Sequence, residues 1–218
     1  MPNQSSRTSA IFSAITVLIA WFALGLQLYL MIDNTPGNGM TPLQAVGRFL
    51  IFFTILSNLL VAVSLTVVLV TPGSAIGRFF AKPNSLAAIA AYIFIVGLVY
   101  NIILRSLWQP QGLQKIADEL LHVAVPLLYV FYWLVFAAKN SLQWTDPVKW
   151  LSFPAFYLIY ALVRGAIEGF YPYPFINVKQ HGYPRVAMNS VFLMIAFVVV
   201  GLLFVLTAKK MSDRNKTR

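Results

Sequence analysis

Apolar residues fall into six long blocks along the chain, at about 9–32, 43–70, 86–107, 117–137, 148–170 and 186–208. A helix of roughly 20 apolar residues crosses about 30 Å of hydrocarbon, so the pattern predicts six transmembrane helices. The second block is longer than a span needs. It tilts, or its Pro42-led start lies above the bilayer. The connections carry turn residues, as in "DNTPGNGMTP" (33–42), "TPGSAIGRFFAKPNS" (71–85) and "WQPQG" (108–112). The fifth, "YPYPFINVKQHGYPR" (171–185), is rich in proline and tyrosine and predicts an ordered, non-helical cap with aromatic anchoring. The expected class is all-α: a polytopic membrane bundle, with residues 1–208 as a single six-helix domain and 209–218 as a basic tail.

Polar positions inside the blocks are not scattered. The second block holds Arg48, Thr54, Ser57 and Asn58, and the fourth begins with Asp118, Glu119 and His122. Asn101 and Arg105 come late in the third block, Arg164 and Glu168 late in the fifth, Gln27 late in the first, and Asn189 early in the sixth. Late in an odd span and early in an even span is the same leaflet. The opposite half of each block is expected to be almost purely Leu, Val, Ile, Phe and Ala.

Charge sets the orientation. Of 218 residues, 59% are hydrophobic and only 10% charged, a balance no soluble domain of this length shows. The net charge of +10 is concentrated in loops and in the tail residues Lys209, Lys210, Arg214, Lys216 and Arg218. With Arg7, Arg78, Lys82, Lys139 and Lys149 on the tail's side, and Lys115, Lys179 and Arg185 opposite, the positive-inside rule puts both termini in the cytoplasm. The polar ends then lie in the outer leaflet of the cell's plasma or inner membrane. No soluble segment interleaves basic and aromatic residues, which excludes a nucleic-acid partner. The absence of cysteine excludes disulfides, thiolate metal sites and a cysteine nucleophile. The first block follows a single basic residue without a small-x-small cleavage site, and is expected to be a retained span.

The candidate chemistry lies in "RFLIFFTILSNLL" (48–60), where Thr54, Ser57 and Asn58 share one helix face. A threonine in a membrane helix usually bonds back to its own backbone, and Ser, Asn101 and Asn189 more often glue helices than react. His122 stands out as the one histidine inside a block. Ionisable side chains in a membrane mark function or snorkel to water, and here the two readings weigh evenly. Asp118 and Glu119, four and three residues before His122, can each orient its imidazole. Charges at this depth cost about 2.5–3.5 kcal/mol unless paired. Arg164 and Glu168, at i,i+4, pair on one face, while Arg105 shares a face with Asn101. Pro126 removes the donor for the carbonyl of residue 122 and kinks the fourth helix, opening space beside the histidine. Gly165 and Gly169 permit close helix packing. His122 and His181 are too few and too far apart for a metal site, and no cofactor or metal is expected. Phosphate loops, dinucleotide fingerprints and nucleophile elbows are absent.

Three segments together resemble the androgen-induced protein family, in what looks like a prokaryotic branch. They are "FLIFFTILSNL" around Thr54, "LLHVAVP" around His122, and Tyr173-Pro174-Phe175 after the next helix. The family includes intramembrane threonine hydrolases of fatty acid esters of hydroxy fatty acids. The resemblance implies Thr54 as nucleophile and His122 as base, with a membrane lipid or acyl ester as substrate. Around them, Ser57, Asn58 or Arg105 would support the oxyanion, and Glu119 or Asp118 would fix the imidazole tautomer. Asn101, Arg164, Glu168 and Asn189 would complete the polar pocket. Two other classes stay open: a non-catalytic lipid-binding or assembly protein, and a small-solute transporter. Oligomeric state is not legible in the chain.

Overall fold

The computed structural model describes residues 4–216. Among the described residues the chain is helical, with no strand. Six helices are long and apolar enough to cross a membrane, at Arg7–Asp33, Phe53–Val70, Pro83–Leu104, Gly112–Phe136, Asp146–Glu168 and Val178–Asp213. This is a multi-pass membrane protein. The chain divides into two compact units, at Ala138 and Lys139.

The first unit runs through α1 (Gln4–Asp33), α2 (Thr35–Asn38), α3 (Pro42–Phe49), α4 (Phe53–Val70), α5 (Ala75–Phe80), α6 (Pro83–Val99), α7 (Gly112–Glu119) and α8 (Val125–Phe136). Its core is α1 packed on α4, α7 and α8, with α6 packed on α4 and α8. The over-long second block resolves into two helices. Pro42 opens α3 behind a capping box, in which Thr41 Oγ1 accepts from the Gln44 amide at 3.2 Å and the Gln44 side chain accepts from the Thr41 amide at 2.7 Å. The chain then leaves helical geometry at Phe52 (φ −85°, ψ 129°) and α4 begins at Phe53. Thr54 is therefore in the first turn of a helix rather than mid-span. The fourth span also begins earlier than its apolar block, at Gly112, and Gln114 at its start donates from Nε2 to Gln27 Oε1 of α1 at 2.8 Å.

Two turns in this unit are wider than α-helical. A π-turn at Tyr100–Leu104 ends α6, closed by the Arg105 amide on the Tyr100 carbonyl at 2.8 Å. A second, Leu120–Ala124, joins α7 to α8. Proline at 126 explains the second, since its ring crowds the carbonyl four residues back and it has no N–H to give. The disturbance expected beside His122 takes this form.

The half of the unit opposite these polar residues is less purely aliphatic than expected. Ser13, Thr16, Ser64, Tyr129, Tyr132 and Trp133 are all buried there. Thr16 and Ser64 spend their hydroxyls on their own helices, on Phe12 O at 2.9 Å and Val61 O at 3.1 Å, so burial costs them little.

The second unit comprises α9 (Asp146–Trp150), α10 (Ser152–Glu168), a 3₁₀ turn (Pro174–Ile176) and α11 (Val178–Lys216). Buried Asp146 starts it, accepting from the Gln143 amide at 2.8 Å and from Lys149 at 3.0 Å. Gly201 of α11 lies where a Cβ would meet the Pro147 ring at 2.7 Å, so the glycine admits the close packing of α9 on α11. The segment expected to be a non-helical cap is partly helical. Residues 178–181 make a helical turn that breaks at Gly182 (φ 73°, ψ 162°), two residues before Pro184. The Tyr173 and Phe175 rings stack at 5.2 Å, and Asn189 Nδ2 donates to the Phe175 carbonyl at 2.9 Å.

Candidate functional site

The two widened turns and the start of α4 meet in the first unit. Thr54, 8% exposed, projects from the first turn of α4, and its Oγ1 lies 3.3 Å from His122 Nε2. On the other side of the ring, His122 Nδ1 lies 2.9 Å from the Asp118 backbone carbonyl and 3.3 Å from Asp118 Oδ1. A carbonyl oxygen can only accept, so the hydrogen-bond network assigns the proton to Nδ1. In the neutral ring the Nε2 lone pair then faces the Thr54 hydroxyl, which can donate to it.

Tyr100 completes the arrangement. Its hydroxyl donates to Asp118 Oδ2, and its ring lies on the imidazole with centroids 3.9 Å apart and planes 15° from parallel. Asp118 is 5% exposed, so its carboxylate is held by protein groups in place of water. Sequence reasoning did not reach Tyr100, because an aromatic residue in an apolar block is ordinarily core. The signal that could have found it is the pairing of a late position in one span with Asp118, early in the next.

The remaining residues expected in the pocket separate into groups. Asn58, fully buried, donates from Nδ2 to the Thr54 carbonyl at 2.8 Å and the Leu121 carbonyl at 3.1 Å. Asn101 Nδ2 donates to the carbonyls of Gly97 at 2.7 Å and His122 at 3.4 Å. Both amides are occupied on backbone and have no donor left for an oxyanion. Ser57 is fully buried beside them, its Oγ without a hydrogen-bond partner among the described residues. Glu119 does not reach the histidine. It pairs with Arg105 at 2.7 Å, with 39% and 42% of the two side chains exposed. That hydrogen bond holds the Arg105 guanidinium above its ordinary pKa, and the guanidinium carbon lies 5.3 Å from the Tyr100 ring centroid. Arg164, Glu168 and Asn189 belong to the second unit. Arg164 Nε donates to Glu168 Oε1 at 2.8 Å and its Nη1 to the Tyr160 hydroxyl at 2.9 Å.

Chemically, a hydroxyl lies within hydrogen-bond reach of one imidazole nitrogen, and the opposite nitrogen donates to the Asp118 backbone carbonyl with the buried Asp118 carboxylate 3.3 Å away. This is the geometry of a nucleophile, its general base and an orienting group. The positive end of the α4 macrodipole, roughly half a unit charge, lies at the Thr54 turn. Among the described residues no three His, Asp or Glu side chains stand together as metal ligands. No family model, curated protein or solved structure matches this chain, so its likeness to the androgen-induced proteins rests on the quoted residues alone.

Proposed function

We propose that the protein is an intramembrane hydrolase of fatty acyl esters, working through Thr54, His122 and Asp118 in the outer-leaflet half of the bundle. The observation that carries this reading is the continuous relay from Thr54 Oγ1 through both ring nitrogens of His122 to Asp118. In the proposed reaction, Thr54 Oγ1 attacks the ester carbonyl carbon as its proton passes to His122 Nε2. The C–O bond to the alcohol then breaks, and the leaving oxygen takes that proton. This leaves the acyl group esterified to Thr54. Water attacks the acyl carbon, giving its proton to Nε2, and the fatty acid departs as Thr54 regains its hydrogen. Asp118 holds the Nδ1–H and balances the imidazolium formed in each half-reaction. Negative charge on the carbonyl oxygen develops near the positive end of α4, where a helix favours it. The apolar inner half of the first unit supplies a surface of the kind an acyl chain fills. Taking both termini as cytoplasmic on the charge asymmetry, the substrate enters from the outer leaflet.

The test is purified full-length protein in detergent, a fluorogenic medium-chain acyl ester, and a fluorophosphonate probe mapped by mass spectrometry. Turnover and an adduct on Thr54 are expected, and Thr54→Ala should lose both while eluting as a folded species. Turnover by Thr54→Ala at the wild-type rate would overturn the mechanism. Absence of turnover in the wild type, with lipid retained through purification, would favour a binding protein.

A further inference from the structure

The turn that carries His122 lacks hydrogen-bond donors that an ordinary helix would have. In α-helical spacing the Leu121 carbonyl takes the amide of Val125 and the His122 carbonyl takes that of residue 126. Here the Val125 amide bonds Leu120 O across the widened turn, and residue 126 is proline. The wider spacing does not help Leu121, because its donor would then also be residue 126. The Leu121 carbonyl, on a buried residue, thereby has no helical donor in either spacing, and the His122 carbonyl, on the other side of the His122 Cα, loses its α-helical one.

The two asparagine amides fill these places. Asn58 Nδ2 reaches Leu121 O at 3.1 Å and Asn101 Nδ2 reaches His122 O at 3.4 Å, from two different neighbouring spans. Each amide spends its other hydrogen on its own helix, Asn58 on Thr54 O at 2.8 Å and Asn101 on Gly97 O at 2.7 Å. Asn58 thus ties the backbone of the hydroxyl-bearing residue directly to the turn that carries the imidazole. Close approach on the second side depends on Gly97, where a Cβ would lie 3.2 Å from His122 O and 3.3 Å from Pro126 Cβ.

We propose that Pro126, Asn58 and Asn101 are positioning residues that set the Thr54–His122 separation: the proline strips the His122 turn of donors and the two amides replace them from adjacent helices. Their catalytic relevance rests on the Thr54–His122 reading above. The hydrogen-bond substitution itself does not.

The experiment is a double-mutant cycle on the full chain in detergent, combining Pro126→Ala with Asn58→Leu and, separately, with Asn101→Leu. Thermal unfolding is followed by tryptophan fluorescence and ester turnover is measured in parallel. With proline present, Asn58→Leu should lower Tm by about 3–8 °C, as expected when a buried carbonyl loses its donor, and Asn101→Leu by a smaller amount because its bond is exposed. An alanine at 126 restores an N–H, so at least one of these losses should shrink by half or more: that of Asn101→Leu if the turn tightens to α spacing, that of Asn58→Leu if it stays wide. Asn101 is exposed, so its cycle can be measured even where Asn58→Leu fails to accumulate. Losses that add within about 1 °C for every cycle measured would overturn the proposal. Pro126→Ala alone should hold or raise Tm yet cut kcat at least about 10-fold with little change in KM. A merely structural proline would move stability and turnover together. Wild-type protein without turnover would sink the hydrolase reading, while the thermal cycle would still decide the positioning claim.

Discussion

The two units answer the same sequence signature in different ways. Each has charged and polar residues toward the ends of its spans. In the first unit Thr54 of α4, Tyr100 of the π-turn after α6 and Asp118 of α7 gather around one part-buried imidazole; Asp118 meets His122 at i,i+4 spacing, while the Thr54–His122 and Tyr100–Asp118 hydrogen bonds cross between spans. In the second, Arg164 meets Tyr160 and Glu168 on its own helix, at i,i+4 spacing and with 36% of the glutamate exposed. The first arrangement costs a buried carboxylate and a distorted helix; the second neutralises a charge near the bilayer surface, as any interfacial helix does. A polar cluster in a membrane helix marks chemistry when its members need residues from other helices to be satisfied. Intrahelical pairs do not meet that condition.

The sharpest way to break this comparison is at the imidazole. His122→Ala should lower ester turnover by about 10²–10⁴-fold, the range over which a positioned general base contributes. The same substitution at His181, exposed in the second unit, should leave the rate within 2-fold. Equal losses at the two histidines would remove the distinction between the units.

A smaller effect is expected at Asp118. Its backbone carbonyl still accepts from Nδ1 at 2.9 Å when the side chain is changed to an amide, so the tautomer survives in Asp118→Asn. What is lost is the charge that balances the imidazolium, and the partner of the Tyr100 hydroxyl is weakened. A drop in kcat of about 10–100-fold is expected, with KM little changed. Steady-state kinetics on the same ester decides it. A loss as large as that of His122→Ala would mean the carboxylate alone sets the tautomer.

Span count and helical class were legible in the apolar blocks, because about 20 residues of hydrocarbon-compatible sequence have few structures open to them. The break before Phe53 was not, since Leu50, Ile51 and Phe52 are as apolar as their neighbours and carry no punctuation. The choice between Asp118 and Glu119 was also out of reach. At four and three residues before His122 both carboxylates can meet it, and the choice follows from Arg105, which claims Glu119, and Tyr100, which claims Asp118. The roles of Asn58 and Asn101 were hidden for a related reason. An amide's partners here are carbonyls freed by a proline in another span, and a residue list shows the proline but not which helices lie beside it.

Gly97 probes the same contact by volume. Adding a methyl in Gly97→Ala asks the His122 carbonyl and the Pro126 ring to give by a few tenths of an ångström, from 3.2 and 3.3 Å. The imidazole moves with its backbone, so turnover should fall by about 3–10-fold, while the overpacking also lowers Tm by a few degrees. Gly201→Ala in the second unit crowds Pro147 more severely, at 2.7 Å. It should cost stability of the same order or more and leave kcat per folded molecule unchanged. Measuring both variants for Tm and kcat separates packing from positioning.

The smallest expected effect is the one that tests the second unit's reading most directly. Arg164 and Glu168 form an ion pair within one helix, with 20% and 36% of their side chains exposed. Pairs of this kind contribute about 0–1 kcal/mol, and removing both charges together leaves neither partner stranded. The double substitution Arg164→Gln with Glu168→Gln should therefore leave kcat and KM within 2-fold of wild type and Tm within about 2 °C. Arg164→Gln alone should cost more than the double, because Glu168 is then left to snorkel without its cation. If instead the double variant loses turnover by 10-fold or more at unchanged Tm, the second unit contributes to substrate handling. In that case intrahelical satisfaction would no longer separate an inert polar cluster from a working one.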